Sequence, residues 1–395
     1  MRYATLKIHP AQIVAADDAI TVRYGFEILT GDPHAGTLWF RVAPAWRGWI
    51  HLGPEPAVAA LVFLAMALGE DIEVAQPVSP TFHYGFHRSV EHFHLWWPQL
   101  CQVTLRAPGF ARVGQSGAKA VVACFSGGVD SFDTLYAHLD GAAPNPDFRL
   151  THLFFAHGFD IPLDNPVYGE IADEFAGFAR SLGLEVIRLA TNARDMLDPH
   201  LRWDQTHGAC IAAGALLLSG GIRRFIIPST NRQSLLFVPC GSNPVTDPML
   251  GTETLDVVHY GTHQSRIQKT LGIADRREAQ EHLRVCWQNV PGRRNCGRCE
   301  KCLKTMMPLA IIGALERFSV FPALPRWNAI DRRCFAALDV SGLPPELSYA
   351  DELRALAAAH AVRGFPHWRL LELSMRRKAK AIVRRLRSVL PHVGA

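Results

Sequence analysis

The sequence predicts an α/β fold with a doubly wound parallel sheet, a β-rich α+β domain before it and a helical extension after it. Three observations support this prediction. Strand and helix patterns alternate between residues 121 and 260, alternating apolar and polar residues mark the first 115, and helical patterns occupy 349–361 and 370–390. Strand–helix alternation is typical of a parallel sheet with helices on both faces. We therefore predict domains at 1–115, 116–315 and 316–395.

The composition limits the class of protein. With 395 residues, 48% of them hydrophobic, the chain can form two or three domains with sizeable cores. It lacks an apolar run of about 18 residues that would predict a membrane-spanning helix. The N-terminus lacks a secretory pattern, so we expect the nine cysteines to be thiols or metal ligands rather than disulfides. We expect a cytoplasmic protein and a homo-oligomer.

The N-terminal third shows strand patterns around one buried helix. Strands are predicted at 19–28, 36–42, 71–74 and 101–105, and the helix at 56–68. The segment 82–97 is dense in aromatic residues and contains histidines at 83, 87, 92 and 94. These histidines can converge on a metal, but no cysteine or carboxylate spacing completes the set, which favours an aromatic packing surface. We expect this domain to cover the active site or to hold a partner.

A glycine turn at residues 126–131 organises the central domain. Residues 121–125 form an apolar strand pattern, and a helix pattern begins near Phe132. Glycine at 127 and 128 lets an anion approach the main chain closely, and the following helix directs its positive end at the same place. Ser126 and Ser131 add hydroxyl donors, and Asp130 adds a carboxylate suited to Mg²⁺. This pattern predicts a phosphate-binding turn.

The string Ser-Gly-Gly-Val-Asp-Ser resembles the PP-loop of the ATP pyrophosphatases. The resemblance implies an adenine nucleotide α-hydrolase-like fold, and cleavage of ATP between its α- and β-phosphates. It also implies that pyrophosphate is bound by Ser126, Gly127, Gly128, Val129, Asp130 and Ser131. The alternative is an ordinary strand–turn–helix corner, in which Gly-Gly and Ser are frequent.

Other strand ends should lie near this turn. Further strands are predicted at 150–155, 185–189, 225–227 and 255–260. Ligands bind at the carboxyl ends of parallel strands, so His157, Asp160, Thr230 and Asn231 are candidates for the nucleotide site. In the pyrophosphatase family the loop after the second strand lies along the adenine, which implies this place for residues 157–160. For His157 the alternative is a loop histidine with a backbone partner, and for Asp160 a helix cap or turn.

A helix pattern that opens at Ser265 places Arg266 and Lys269 three positions apart, on one helical face. The resemblance implies that a basic residue here neutralises charge on the transferring phosphates. The alternative is a solvated charged face. The polar, Gly- and Pro-punctuated stretch 230–262 before this helix is predicted to be a substrate loop.

Four cysteines at 286, 296, 299 and 302 match the ligand count of a tetrahedral zinc site, and we predict a structural role for them. An iron–sulfur cluster is an alternative on count alone. A PP-loop followed by this cluster resembles 7-cyano-7-deazaguanine synthase over residues 121–308, which implies zinc binding and conversion of a carboxylate to a nitrile with ammonia. The extra N-terminal domain, the basic C-terminus and residues 223–256 depart from that family.

The C-terminal segment 376–387 contains seven basic residues among twelve, opposite an apolar stripe. Such a helix can bind tRNA or another anionic partner, or it can be a solvated face of a packed helix.

Three functions follow from these patterns. The first is ATP-dependent adenylation of a carboxylate or amide oxygen on a small-molecule or macromolecular acceptor, followed by attack of a nitrogen nucleophile. The second is PP-loop sulfur transfer to tRNA or a small molecule, which requires a reactive thiol such as Cys240 or Cys124. The third is nucleotide binding without turnover, against which the intact Asp130 and both serines argue.

Overall fold

Eleven strands among the described residues form one sheet in this computed structural model. The structure describes residues 5–29, 34–112, 117–139, 145–236, 238–290, 292–324, 326–327, 349–368 and 375. The chain divides into two units. Unit 1 comprises Met1–Ser126, Thr134–Asn231 and Leu236–Thr262, and unit 2 comprises Gly127–Asp133, Arg232–Leu235 and His263–Ala395. The whole sheet belongs to unit 1.

The strands are β1 (Thr5–Ile8), β2 (Gln12–Ala15), β3 (Ile20–Ile28), β4 (His34–Val42), β5 (Asp71–Val74), β6 (Leu105–Arg106), β7 (Ala120–Cys124), β8 (His152–His157), β9 (Glu185–Thr191), β10 (Ile222–Pro228) and β11 (Asp256–Tyr260). Their order in the sheet is β11-β10-β7-β8-β9-β4-β3-β1-β5-β6, and β2 pairs with β3.

The half of the sheet from β11 to β9 is entirely parallel. Its central strands bury side chains such as Val122, Phe154 and Phe225, which are 0% exposed, as expected where both sheet faces are covered. The chain adds β8 and β9 on one side of β7 and then β10 and β11 on the other. The strand order therefore reverses between β7 and β10. A mixed α/β fold with a large, mostly parallel sheet is confirmed.

The N-terminal strands continue this sheet. Strand β9 pairs antiparallel with β4, with Val42 opposite Leu189, so the sheet crosses the boundary predicted near residue 115. The predicted three-part division of the chain stays a prediction. The strand predicted at 101–105 is wrong except at its end, because the Cys101 amide donates to the Met66 carbonyl at 2.8 Å instead of to a strand.

The helices of unit 1 are α1 (Glu55–Leu68), α2 (Pro80–Trp96), α4 (Val167–Ser181), α5 (Ala193–Leu197) and α6 (Trp203–Leu217), and α3 (Val129–Ala137) begins in unit 2 and ends in unit 1. Helix α1 is almost continuously apolar and buried, and it ends where Gly69 adopts a left-handed φ of 71°. Helices α1 and α6 pack against each other.

The histidine-rich segment forms α2, whose apolar face lies in the core. Three of its four histidines contact backbone carbonyls: His83 the Leu105 carbonyl at 3.1 Å, His87 the His83 carbonyl at 2.9 Å and His94 the Leu100 carbonyl at 2.6 Å. Among the described residues, the group with metal-site geometry is the cysteine cluster. The metal alternative for these histidines is not supported.

Unit 2 contains α7 (Arg266–Gly272), α8 (Arg277–His282), α9 (Glu300–Ile311) and α10 (Tyr349–Ala359). Helices α7, α9 and α10 share an apolar core that includes Ile267, Met307 and Leu353. Helix α10 confirms the helix predicted at 349–361. The predicted helix at 370–390 and its basic segment 376–387 lie outside the described residues, apart from position 375. None of the helices in the described ranges is long and apolar enough to cross a membrane.

Candidate functional site

The glycine turn of unit 2 leads directly into α3. Gly127 has a φ of +77°, which a side chain would disfavour. The Gly128 carbonyl accepts the Phe132 amide at 3.0 Å and the Ser131 hydroxyl at 2.9 Å, which closes the first turn of the helix. Val129 opens the helix fully buried. The first amides of a helix have no partner inside it, so this turn has the local form of an anion site.

Asp130, in the first turn of α3, contacts two cations from α7. The Arg266 guanidinium donates to its Oδ2, and Lys269 Nζ lies 3.3 Å from its Oδ1. A capping box between Ser265 and Gln268 sets the start of α7. Arg266 and Lys269 therefore lie on one helical face, as the spacing predicts, and this face meets a carboxylate instead of solvent.

The burial of this cluster makes its ion pairs energetically important. The Lys269 side chain is 1% exposed, while those of Arg266 and Asp130 are 21% and 18% exposed. A lysine at this depth requires a compensating charge, because an unpaired buried ammonium is strongly unfavourable. Arg266 and Lys269 thus place two positive charges near the glycine turn, and the carboxyl groups of Asp130 and Asp133 lie beside them.

The sequence did not single out Asp133, one helical turn after Asp130. Its Oδ2 is buried without a hydrogen-bond partner. Burial raises the pKa of the Asp133 carboxyl, Lys269 and His263 lower that pKa in part, and the charge of Asp130 raises it further. The i,i+3 spacing of the two aspartates was the available signal.

Arg284 is a second residue that the sequence did not single out. Its amide donates to the Gly127 carbonyl at 2.8 Å, and its guanidinium donates to the Asn289 amide oxygen. The glycine turn is thus tied by a backbone hydrogen bond to the segment that precedes the cysteines. Nothing in the local sequence around Arg284 predicts this contact.

In unit 1, the remaining predicted nucleotide residues follow adjacent strands. Ser126 follows β7, His157 ends β8, and Thr230 and Asn231 follow β10. Because β10, β7 and β8 are neighbours and parallel, these residues follow strand ends at one edge of the sheet. The reversal of strand order between β7 and β10 is the place where α/β sheets bind ligands.

The two side chains predicted beside the adenine differ in their surroundings. His157 Nε2 contacts the Pro162 carbonyl at 3.0 Å, and its ring stacks on Tyr168 with centroids 4.0 Å apart. This is the backbone partner that the alternative interpretation expects. Burial lowers the His157 pKa, while the Pro162 carbonyl and Asp164 partly oppose this effect. Asp160 is exposed.

After β10, the Ser229 hydroxyl donates to the Asn231 carbonyl at 2.6 Å.

The four predicted cysteines form one buried cluster in unit 2. The Sγ atoms of Cys286, Cys296, Cys299 and Cys302 all lie within 4.8 Å of one another. The Cys296–Cys302 separation is 3.9 Å and the Cys299–Cys286 separation is 4.0 Å. Sulfurs of a tetrahedral site with metal bonds of about 2.3 Å are about 3.8 Å apart, so the four thiols fit a metal ion. A hydrogen bond from Cys302 lowers the pKa of the Cys299 thiol, which favours a thiolate.

Asn295 holds the segment around Cys286 in place. Its Oδ1 accepts the amides of Val285 at 2.8 Å and Cys286 at 3.1 Å, and its Nδ2 donates to the Leu283 carbonyl at 2.8 Å. Cys286 therefore lies in a loop whose backbone is held by the Asn295 side chain. Cys302 lies in α9, so the cluster brings the start of this helix together with the loop, and the structural role expected for it stays a prediction.

The structure thus brings Asp130, Arg266 and Lys269 together in one cluster and the four cysteines in another. Comparisons with protein-family models, with curated proteins and with solved structures find no match for this chain.

Proposed function

We propose that this chain adenylates a carboxylate or amide oxygen with ATP and then lets a nitrogen nucleophile displace AMP, as in 7-cyano-7-deazaguanine synthase. The observation that supports the proposal most is the contact of Asp130 with Arg266 and Lys269 beside the glycine turn. An ordinary strand–turn–helix corner does not require a buried lysine and an arginine from a helix 136 or more positions later. A site for a polyphosphate does, because its charge must be neutralised.

The residues of the turn have separate roles in this proposal. Bound ATP–Mg²⁺ would supply an electrophilic phosphorus and a pyrophosphate leaving group. The turn amides and the hydroxyls of Ser126 and Ser131 would bind phosphate oxygens. Arg266 and Lys269 would stabilise the negative charge on those oxygens, and Asp130, released from the two cations, would hold Mg²⁺. The protein would contribute mainly positioning and electrostatics.

The cysteine cluster supports a second part of the proposal, a zinc ion of structural role. Four buried thiols with tetrahedral spacing are the donor set that zinc prefers in closed sites. The ion would hold the start of α9 on the loop clamped by Asn295. No ligand position would remain open for chemistry there.

Sulfur transfer is the second candidate function, and the two thiols considered for it differ. Burial, and to a smaller extent the charge of Asp160, raises the pKa of Cys124 to about 12, which makes it a poor nucleophile. Cys240 has a lowered pKa and stays a candidate. The acceptor, tRNA binding and homo-oligomer formation remain predictions.

The test is to incubate the protein with ATP–Mg²⁺ and a metabolite or tRNA pool, and to measure AMP, pyrophosphate and mass-shifted products. We expect AMP and pyrophosphate in equal amounts, and a loss of at least about 100-fold in Arg266→Gln. Arg277→Gln is the matched control, because Arg277 is 82% exposed and pairs only with Glu281 among the ion pairs of the described residues. Release of ADP and phosphate, or equal rates in both variants, would contradict the proposal.

A further inference from the structure

The loop that contains Cys240 lies directly against α6 in unit 1. The Gly241 amide donates to the Asp204 carbonyl at 2.9 Å. A Cβ atom added at Gly208 would lie 2.1 Å from the Gly241 carbonyl oxygen, and one added at Gly241 would lie 2.1 Å from the Gln205 carbonyl oxygen. Two glycines therefore permit backbone contact between loop and helix. This contact fixes Cys240 relative to the side chains of α6.

His207 of α6 is the side chain that meets Cys240. The imidazole and the thiol are hydrogen-bonded, and both residues are half-buried. His207 Nδ1 lies 3.2 Å from the Trp203 carbonyl. A carbonyl only accepts, so Nδ1 carries a proton there and Nε2 is left for the thiol. The imidazole is thus oriented toward sulfur by its own helix.

One buried carboxylate faces this pair. Asp247 is 1% exposed, and its oxygens accept the Ser242 hydroxyl at 2.7 Å, the Asn243 amide at 3.2 Å and His259 Nδ1 at 2.8 Å. Its charge favours protonation of both His207 and Cys240. Because its oxygens are already bonded to the loop and to His259 of β11, Asp247 acts on the pair from a fixed position.

The pKa values of Cys240 and His207 are shifted in opposite directions. Burial raises the Cys240 pKa, but the hydrogen bond and charge of His207 and the Ser242 amide lower it further than burial and Asp247 raise it. Burial lowers the His207 pKa, but Cys240, Asp247 and the Trp203 carbonyl raise it above its ordinary value. Both pKa shifts favour the thiolate–imidazolium form of the pair compared with two separate groups.

We propose that Cys240, whose proton is taken up by His207, is a reactive nucleophile that undergoes thiol–disulfide exchange with low-molecular-weight disulfides. The Cys240 thiolate attacks one sulfur of the disulfide, a new S–S bond forms, and the original S–S bond breaks. Cys240 sulfur is oxidised and the departing sulfur is reduced. The departing thiolate takes the proton of the His207 imidazolium, which becomes neutral. This reactivity does not depend on adenylation.

The other thiols of the described residues are expected to react more slowly than Cys240. Burial raises the pKa of both Cys124 and Cys210, which keeps these thiols protonated. Four more belong to the metal-site cluster. Cys101 is exposed and serves as an internal reference. Cys334 lies outside the described residues, so each site must be followed by peptide mass.

The test treats the full-length, reduced protein with bis(2-hydroxyethyl) disulfide at pH 6 and follows each mixed disulfide with time. An ordinary thiol is only about 0.3% thiolate at this pH, so an ion-paired thiolate gains reactivity even though its intrinsic nucleophilicity falls. We expect Cys240 to react at least about tenfold faster than Cys101. A Cys240 rate equal to or below that of Cys101 would overturn the proposal.

The variant His207→Gln should remove this advantage, while His9→Gln, which changes a half-exposed histidine paired with Glu27, should keep it. An unchanged Cys240 rate in His207→Gln, or an equal loss in both variants, would overturn the role of His207. If His207→Gln does not fold, the wild-type pH profile decides. A rate that levels off by about pH 7 supports the ion pair, and a tenfold rise per pH unit up to pH 8 contradicts it.

Discussion

The cysteine cluster and the glycine turn are both parts of unit 2, but they are built over different distances in sequence. All four thiols come from residues 286–302. The carboxylate of Asp130 instead meets cations that follow it by 136 and 139 positions. Thiols are neutral when protonated and can be buried together, whereas a buried lysine needs an opposite charge. The difference shows that a local motif can bring four thiols together, while a charged site depends on the fold.

Loss of the proposed zinc ion should have the largest effect. Zinc contributes an apparent 10–16 kcal/mol, roughly, in small structural sites, so Cys302→Ser or chelation should unfold the cysteine loop and reduce bound zinc to below about 10%. Elemental analysis and thermal melting measure this. Cys101→Ser, at an exposed cysteine, is the control. Full stability of Cys302→Ser without bound metal would show that the cluster does not depend on an ion.

The second largest effect should come from Asp130→Asn. This change leaves Lys269 buried without its carboxylate and should cost about 3 kcal/mol of unfolding free energy, measured by urea denaturation. Lys269→Met in the same chain should restore most of that loss, since the buried ammonium is then removed as well. Asp275→Asn removes an exposed ion pair with Arg317 and should cost less than about 0.5 kcal/mol. Equal losses in Asp130→Asn and Asp275→Asn would contradict the importance of burial.

Alanine substitutions at two glycines of the cysteine loop should have a smaller effect on stability, and comparing them separates the cost of backbone conformation from the cost of packing. Gly297 and Gly292 have φ values of 72° and 70°, but an added Cβ meets Pro322 Cγ at 2.3 Å only at Gly297. Each alanine substitution should cost about 1–2 kcal/mol for the left-handed conformation, and Gly297→Ala should cost at least about 1 kcal/mol more. Thermal melting with zinc measures both. Equal costs would show that the loop relaxes around Pro322.

The smallest effect concerns Asp133. Its carboxyl pKa is raised in the folded state, so its contribution to stability is favourable below the unfolded pKa and is lost as pH rises through the folded pKa. At pH 7, Asp133→Asn should therefore raise the unfolding free energy by up to about 1 kcal/mol, and the gain should disappear below about pH 4. Thermal melts at both pH values measure this. A variant that is less stable at pH 7 would show that the charged carboxylate is needed.

Much of the fold followed from local pattern. The alternation of apolar and polar residues located β3 and β4, the apolar run at 121–125 located β7, and the helix pattern that opens at Ser265 located the start of α7. The spacing of the cysteines predicted their cluster as well, because all four lie between residues 286 and 302. In the strand predicted at 101–105 the local pattern was wrong, because a helix carbonyl at Met66 binds the Cys101 amide.

By itself, the sequence determined the strand and helix periods, the glycine turn and the close spacing of the four cysteines, because each depends on residues within a short stretch of chain. Only the tertiary structure decided that β4 pairs with β9, that Asp130 contacts Arg266 and Lys269, and that Asn295 clamps the Cys286 loop. It also decided that His207 meets Cys240. These contacts depend on strand register and helix packing across long stretches of chain, where burial of charge and backbone satisfaction select the partner.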